Sequence, residues 1–403
     1  MVLISGLFVL LVCVIAPAIP TNSQAEVFEQ VWQTVRDNFY DSKFNGVDWS
    51  AMRQKYRSQA TKAPSIAAFS DVINQMLVEL KTSHTRFYTQ TEPAYYQLAG
   101  IFRSSIQSKL KPFLPNGKLE YTGIGIFTKD INNQTFINAI LNGSPAEKAG
   151  LKVGDRILSV DNQPFQAIQS FVDKAGKPVQ VQIQRTSGNA QTIAVTPQKL
   201  DPNRMFLDAM KNSVEIIQRN GKQIGYIHIW SYADQQYQDQ LEEALSDRLS
   251  NIDGFVWDLR DGWGGASPSY LGLFTSSVPS LTLIERDGDR RQIEGQWKKP
   301  IVMLVNQGSR SGKEILAQGF RKYRVGTIVG SKTAGAVVAG RAFVMKDGSL
   351  LYLAVADVLV DGDRLEGKGV TPDVEVPFTL EYSQGVDVQK ERAIEVVLQQ
   401  VGK

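Results

Sequence analysis

The chain has 403 residues, of which 42% are hydrophobic and 21% charged, with a formal net charge of +3. That length and apolar fraction can bury a sizeable core in two or three domains, which excludes a disordered chain. The net charge is small and no Lys/Arg-rich run occurs, so nucleic acid is not an expected partner.

Residues 1–19 form an almost wholly apolar run, followed by polar residues and the small-residue sequence Ser23-Gln24-Ala25. This pattern predicts an export signal cleaved after Ala25. The other reading is an uncleaved anchor, because no Lys or Arg precedes the run and it nearly reaches the ~20 residues that span a bilayer. Either one puts the folded part outside the cytoplasm, in a periplasmic, lumenal or extracellular space. The single cysteine, Cys13, lies in this run. A chain starting at Glu26 would hold none, which excludes disulfides, thiolate catalysis and Cys-ligated zinc.

Apolar spacing predicts a helix over 26–40, with Val27, Val31 and Val35 on one face, and a second over 65–80, with Phe69, Ile73, Met76, Leu77 and Leu80 inward. Thr82-Ser83-His84-Thr85 follows as a loop, then Arg86-Phe87-Tyr88 reads as extended. From 121 to 196 short strands with glycine punctuation take over, at 121–126, 136–140, 157–160 and 179–183. Ser144-Pro145-Ala146-Glu147-Lys148-Ala149-Gly150 has every mark of a short helix: Ser144 as cap, Pro145 at the first position, Glu147 closing a capping box and Gly150 at the end.

These residues resemble a PDZ domain. Gly123-Ile124-Gly125-Ile126 matches its carboxylate-binding loop, and 143–164 its most recognisable stretch. In such a loop adjacent backbone N–H groups form a nest for a peptide's C-terminal carboxylate, and the next strand can pair with the peptide. The alternative is that the glycines only make tight turns.

Beyond Leu200 strands and helices alternate: strands at 224–229, 255–259, 301–305 and 327–329, and helices at 235–249, 311–322 and 388–400, the last capped by Asp387. This order predicts a layered α/β core. At the end of the 301–305 strand, Gly308-Ser309-Arg310-Ser311-Gly312-Lys313-Glu314 turns into a helix. A serine there presents its hydroxyl at the positive helix end, with the Gly312 amide free to donate. Ser311 and Glu314 equally satisfy a capping box. Asp258-Leu259-Arg260-Asp261-Gly262-Trp263-Gly264-Gly265 is a second glycine-rich loop past a buried strand, where α/β sheets place ligands.

The chain has two histidines. His228 alternates with apolar strand neighbours and reads as structural, whereas His84 sits in a polar loop suited to a general base. Glu366, taken by itself, reads as a solvated surface carboxylate.

Together these segments resemble the serine peptidase family of tricorn protease and the C-terminal-processing (tail-specific) peptidases. The resemblance implies a ClpP/crotonase-like layered α/β core (201–403), an N-terminal helical segment carrying Ser83 and His84 (26–119) and an inserted PDZ domain (120–200). It implies Ser311 as nucleophile, with Gly312 and Gly264 (or its neighbour Gly265) as oxyanion donors. Tail-specific members use a lysine base, but Ala336 stands at that position. The tricorn-like branch instead implies a tetrad of Ser83, His84, Ser311 and Glu366, the last within Leu365-Glu366-Gly367-Lys368-Gly369-Val370-Thr371-Pro372-Asp373. The expected activity is acyl-enzyme hydrolysis of extended or C-terminal peptide segments of protein substrates, without metal or cofactor. Two other readings stay open: a lysine base, Lys332 or Lys313, and an inactive peptide-binding scaffold. An acyl-CoA-type enzyme on a related core would lack any cofactor signature here.

Overall fold

The computed structural model describes residues 21–275, 281–284, 286, 289–293 and 297–402. The apolar run at 1–19, with Cys13, lies outside them, and the Ser23-Gln24-Ala25 sequence falls within a helix spanning Thr21–Asn38. Among the described residues no helix is long and apolar enough to cross a membrane.

The core is a six-stranded sheet in the order Val374–Glu375, Thr327–Gly330, Ile301–Val305, Gly254–Asp258, Lys222–His228 and Glu215–Arg219. All pairs are parallel except the last. Both faces of the parallel strands are covered, so they read as continuous apolar runs. Ile224, Val256, Val302, Leu304 and Val329 pack on the Val388–Gln400 helix through Ala393, Ile394 and Val397. The alternate residues Phe255, Trp257, Met303 and Val305 face the opposite layer, with Leu316, Ala317 and Phe320 of the Gly312–Lys322 helix. This is the layered α/β core that the strand–helix alternation predicts.

The N-terminal helices Thr21–Asn38, Trp49–Thr61 and Ile66–Val78 pack together and bury Val31, Tyr56, Phe69 and Ile73 against Leu351, Leu353 and Ala354. Three helices of this region, Trp49–Thr61, Pro93–Ile101 and Arg103–Leu110, escape the sequence reading. The short strand Arg86–Tyr88 pairs antiparallel with Leu350–Asp357, which also pairs with Val338–Val344. That pairing carries the His84 loop to the core.

The inserted module enters and leaves through a two-stranded neck, Tyr121–Gly123 against Gln198–Leu200. Its five-stranded antiparallel sheet has its own core of Ile124, Ile137, Ala146, Leu151, Phe171, Val181 and Ile183. Ser144 caps the Pro145–Lys148 helix, accepting from the Glu147 amide, while the Glu147 carboxylate accepts from Gly143, one residue before the cap. The strand Ile126–Ile131 forms one edge of the sheet and is partly exposed.

Candidate active site

The Ile301–Val305 strand ends in a loop held from two sides. Asn306 Oδ1 accepts from the amides of Gly308 (2.8 Å) and Asp261 (3.1 Å), and Ser309 Oγ donates to the Leu259 carbonyl (2.8 Å). The loops past two adjacent strands are thereby locked together. Ser311 caps the Gly312–Lys322 helix with φ 57° and ψ −127°, a region that disfavours any residue with a side chain and costs on the order of 1–3 kcal/mol. Its amide donates to the Ala336 carbonyl (2.9 Å) and to Glu314 Oε2 (3.2 Å).

Glu314 does more than cap the helix. It is fully buried, and its two oxygens also accept from Thr333 Oγ1 (2.6 Å), Gly335 N (2.7 Å) and Ala336 N (2.8 Å). Burial raises its pKa, and these donors oppose the rise. The carboxylate thus fastens the 333–336 loop to the start of the helix. The helix-capping pattern was visible in sequence, but the reach to residues about twenty positions later was not.

The glycine-rich loop lies against this serine. A Cβ on Gly264 would stand 2.6 Å from Ser311 Cβ and 3.1 Å from Gly312 N. Gly265, with φ 101°, instead faces the backbone of Tyr232 and Ala233, so Gly264 is the glycine beside Ser311. Gly312 is packed against Ala266, leaving no room for a side chain. Lys313, fully buried, donates from Nζ to the carbonyls of Asp261 (2.7 Å) and Arg260 (3.5 Å), tying the glycine loop to the helix. Burial, with help from Arg310, lowers its pKa to about 7, against the pull of Asp261 and Asp258.

His84 adopts a left-handed φ of 52°. Adjacent side chains on an extended strand diverge, and this turn is what brings the Ser83 and His84 side chains together. Ser83 Oγ lies 2.9 Å from His84 Nδ1 and 2.9 Å from Glu366 Oε2. Glu366 is buried, not a solvated surface acid. It also accepts from Ser83 N (2.8 Å), Thr82 Oγ1 (3.3 Å) and Val337 N (2.7 Å). A carboxylate can only accept, so the single Ser83 hydroxyl proton goes to Glu366 and Ser83 Oγ must accept from His84 Nδ1–H. His84 Nε2 is then the unprotonated nitrogen. Burial lowers the His84 pKa to about 4, assisted by the positive charge of Arg310 and resisted by Glu366.

Two consecutive residues join the halves of the site. Ala336 O holds the Ser311 amide, and Val337 N binds the Glu366 carboxylate behind Ser83 and His84. Ala336 meets the Ser311 segment through its backbone, and its methyl side chain has no amine to act as a base. Neither lysine reading fits: Lys332 is exposed, and Lys313 is held on loop carbonyls. His228 lies elsewhere, its Nε2 2.9 Å from the Arg260 carbonyl and its ring stacked on Trp230. Among the described residues no group of three or more His, Cys, Asp or Glu side chains could hold a metal ion.

In the module, Gly125 has φ 80°, and a Cβ there would meet Ser144 Cβ at 2.5 Å, so only glycine fits. Gly123 ends the neck strand, Ile124 is buried in the module core, and Ile126 opens the edge strand. The carbonyls of Ile124 and Gly125 accept from Ala146 and Leu141, which fixes the path of the loop.

Comparison with known proteins agrees with this architecture. The model of peptidase family S41 matches residues 223–376, that of the tricorn protease C1 domain residues 20–78, and that of the PDZ domain residues 136–185. A carboxyl-terminal-processing protease of Synechocystis sp. is 26% identical over 401 residues, covering 94% of this chain and 88% of the relative. The chloroplastic C-terminal processing peptidase of Tetradesmus obliquus is 26% identical over 380 residues, covering 89% and 79%. Among solved structures, tricorn protease superposes with a TM-score of 0.57 at 18% identity, over 95% of this chain and 37% of that one, a likeness of fold. The chain is a serine peptidase similar, over most of its length, to the PDZ-bearing peptidases that include tricorn protease and the C-terminal-processing proteases.

Proposed function

We propose that Ser311 is the nucleophile of this peptidase and His84 its general base, with Ser83 and Glu366 orienting the imidazole. Ser311 Oγ attacks the scissile carbonyl while its proton passes to His84 Nε2. The oxyanion is received by the amides of Gly312 and Gly264. His84 then returns the proton to the departing amine, leaving an acyl-enzyme that water hydrolyses by the same proton route. The imidazolium formed in transit is stabilised by the Ser83–Glu366 pair behind it. The observation that supports this reading most is the order of hydrogen bonds through Ser83, which leaves Nε2 as the proton acceptor.

The inserted module, 120–200, captures the substrate: the amides of Gly123, Ile124, Gly125 and Ile126 form the nest for a terminal carboxylate, and the Ile126–Ile131 edge strand pairs with the peptide backbone. We place the enzyme outside the cytoplasm, exported by the 1–25 segment. The test is hydrolysis of unstructured peptides with free C-termini by the purified chain. Activity is expected to vanish in both Ser311→Ala and His84→Ala; turnover surviving in either one refutes the assignment.

A further inference from the structure

The Gly264 amide, an oxyanion donor in the proposed mechanism, sits between two anchored peptide groups. On one side the Trp263 amide donates to the Trp230 carbonyl (2.9 Å), and on the other the Gly264 carbonyl accepts from the Tyr232 amide (3.0 Å). The planar peptide that carries the Gly264 N–H lies between these two, so its direction follows residues 230–232. The two segments are in close contact. A Cβ on Gly262 would overlap the Trp230 carbonyl oxygen, and one on Gly265 would stand 2.7 Å from that of Tyr232.

Residues 230–232 lie just past the Lys222–His228 strand, where no ladder fixes them. Trp230 is 2% exposed, and two of the groups that enclose it come from the inserted module. Its indole N–H donates to Asn142 Oδ1 (3.1 Å). Its ring is parallel to that of Phe127, with centroids 6.0 Å apart and planes 4° apart. Asn142 is oriented for this contact: its amide nitrogen donates to Glu147 Oε1 (3.3 Å), which leaves its oxygen to the indole. The His228 ring, 3.8 Å from the same indole, belongs to the core itself.

Phe127 also stacks on Phe206 of the Met205–Ser213 helix (6.3 Å). Ala139 and Leu141 of the module are buried in one apolar cluster with Phe206, Met210 and Trp230, separate from the module's own core. A packed face therefore seats the module on the segment that anchors Gly264.

We propose that Trp230 is a positioning residue of the oxyanion hole and that Phe127 and Asn142 hold it there, so the module completes the catalytic site besides capturing substrate. Loss of either support lets the indole shift, and the shift passes through two backbone hydrogen bonds to Gly264. The oxyanion forms only in the transition state, so a misplaced donor lowers turnover and leaves substrate binding as it was. This role rests on Gly264 as an oxyanion donor.

The test uses the full chain and a short amidated peptide, which has no terminal carboxylate for the module to capture. Trp230→Phe keeps a ring but removes the indole donor, and Phe127→Ala and Asn142→Ala each remove one support from the module. In all three kcat is expected to fall about 10–100-fold, the cost of a group misplaced by about 1 Å, with KM nearly unchanged. Affinity for the matching peptide aldehyde, whose hemiacetal with Ser311 places its oxygen in the hole, should fall by the same factor. Binding of the amidated peptide to Ser311→Ala, read by fluorescence anisotropy, should not change when any of the three substitutions is added; a merely structural role would not divide the two affinities in this way. If Gly264→Ala keeps the wild-type kcat, the donor assignment fails and this role with it. If Gly264→Ala is impaired while the three variants keep the wild-type kcat, or lose only in KM, the donor assignment stands and the positioning role is overturned.

Discussion

The two histidines of this chain carry the same ring, yet they occupy chemically opposite positions. Burial lowers the pKa of both. His228 lies at the end of a regular strand, stacked 3.8 Å from Trp230, which itself stacks on Phe127 of the inserted module. Its Nε2 meets a carbonyl, which can only accept, so that nitrogen carries the proton and is closed to base chemistry. His84 sits in a left-handed turn with Nδ1 on a serine hydroxyl committed to a carboxylate, which leaves Nε2 unprotonated. The partner of the first nitrogen decides what the second can do.

The sharpest way to break this contrast is to remove each ring. His84→Ala, like Ser311→Ala, is expected to lower kcat by on the order of 10⁴–10⁶-fold with the melting temperature little changed. His228→Phe keeps the stack and should retain most activity; a comparable loss there would erase the distinction. Glu366→Gln keeps the shape but can donate as well as accept, so it disturbs the proton order at Ser83. A fall in kcat of roughly 10²–10⁴-fold is expected, with KM nearly unchanged.

Gly264→Ala forces a methyl against Ser311 Cβ and should reduce kcat by about 10²–10³-fold, the size of a lost oxyanion donor. Gly265→Ala strains a different segment and serves as its control. For His228→Phe the Arg260 carbonyl loses its closer donor and keeps only the long bond from Lys313, so stability to denaturant should fall by about 0.5–1.5 kcal/mol.

The smallest effect is a shift in pH. With His84 lowered to about 4, the acidic limb of kcat/KM in the free enzyme lies well below the 6.5 of an ordinary imidazole. Removing the positive charge in Arg310→Gln raises the His84 pKa and moves that limb to higher pH. Lys313 gives a stability signature with its own sign. Its folded pKa is below the unfolded value of 10.5, so the unfolded chain holds more protons between about pH 7 and 10.5. Its contribution to stability therefore grows as pH rises through that window, and Lys313→Met should flatten the rise in urea titrations.

Much of the scaffold could be read from local pattern. The Val388–Gln400 helix has the predicted bounds, and Asp387 accepts from the Lys390 amide as its cap. The Ile301–Val305 strand and the Pro145–Lys148 helix also lie where apolar runs and capping residues put them. The helices Trp49–Thr61, Pro93–Ile101 and Arg103–Leu110 went unread: tertiary packing of a few residues such as Trp49, Tyr56 and Tyr95, rather than a strong repeat, holds them. In the site, the scarcity of histidine narrowed the choice of base. The tasks of Lys313, Glu314 and Val337 left no local mark, because each partner lies on a segment distant in the chain.

From the residues alone followed the class of the core, the short capped helix of the inserted module, a serine at the start of a helix and, separately, a glycine-rich loop past a buried strand. Each depends on neighbours within a few positions. Only the tertiary structure decided that Glu366, 283 residues from Ser83, closes on its hydroxyl, that His84 turns left-handed to meet the same oxygen, and that Gly264 rather than Gly265 faces Ser311. Proton order in a site is set by which acceptor faces which donor across the fold, and spacing along the chain carries no record of that.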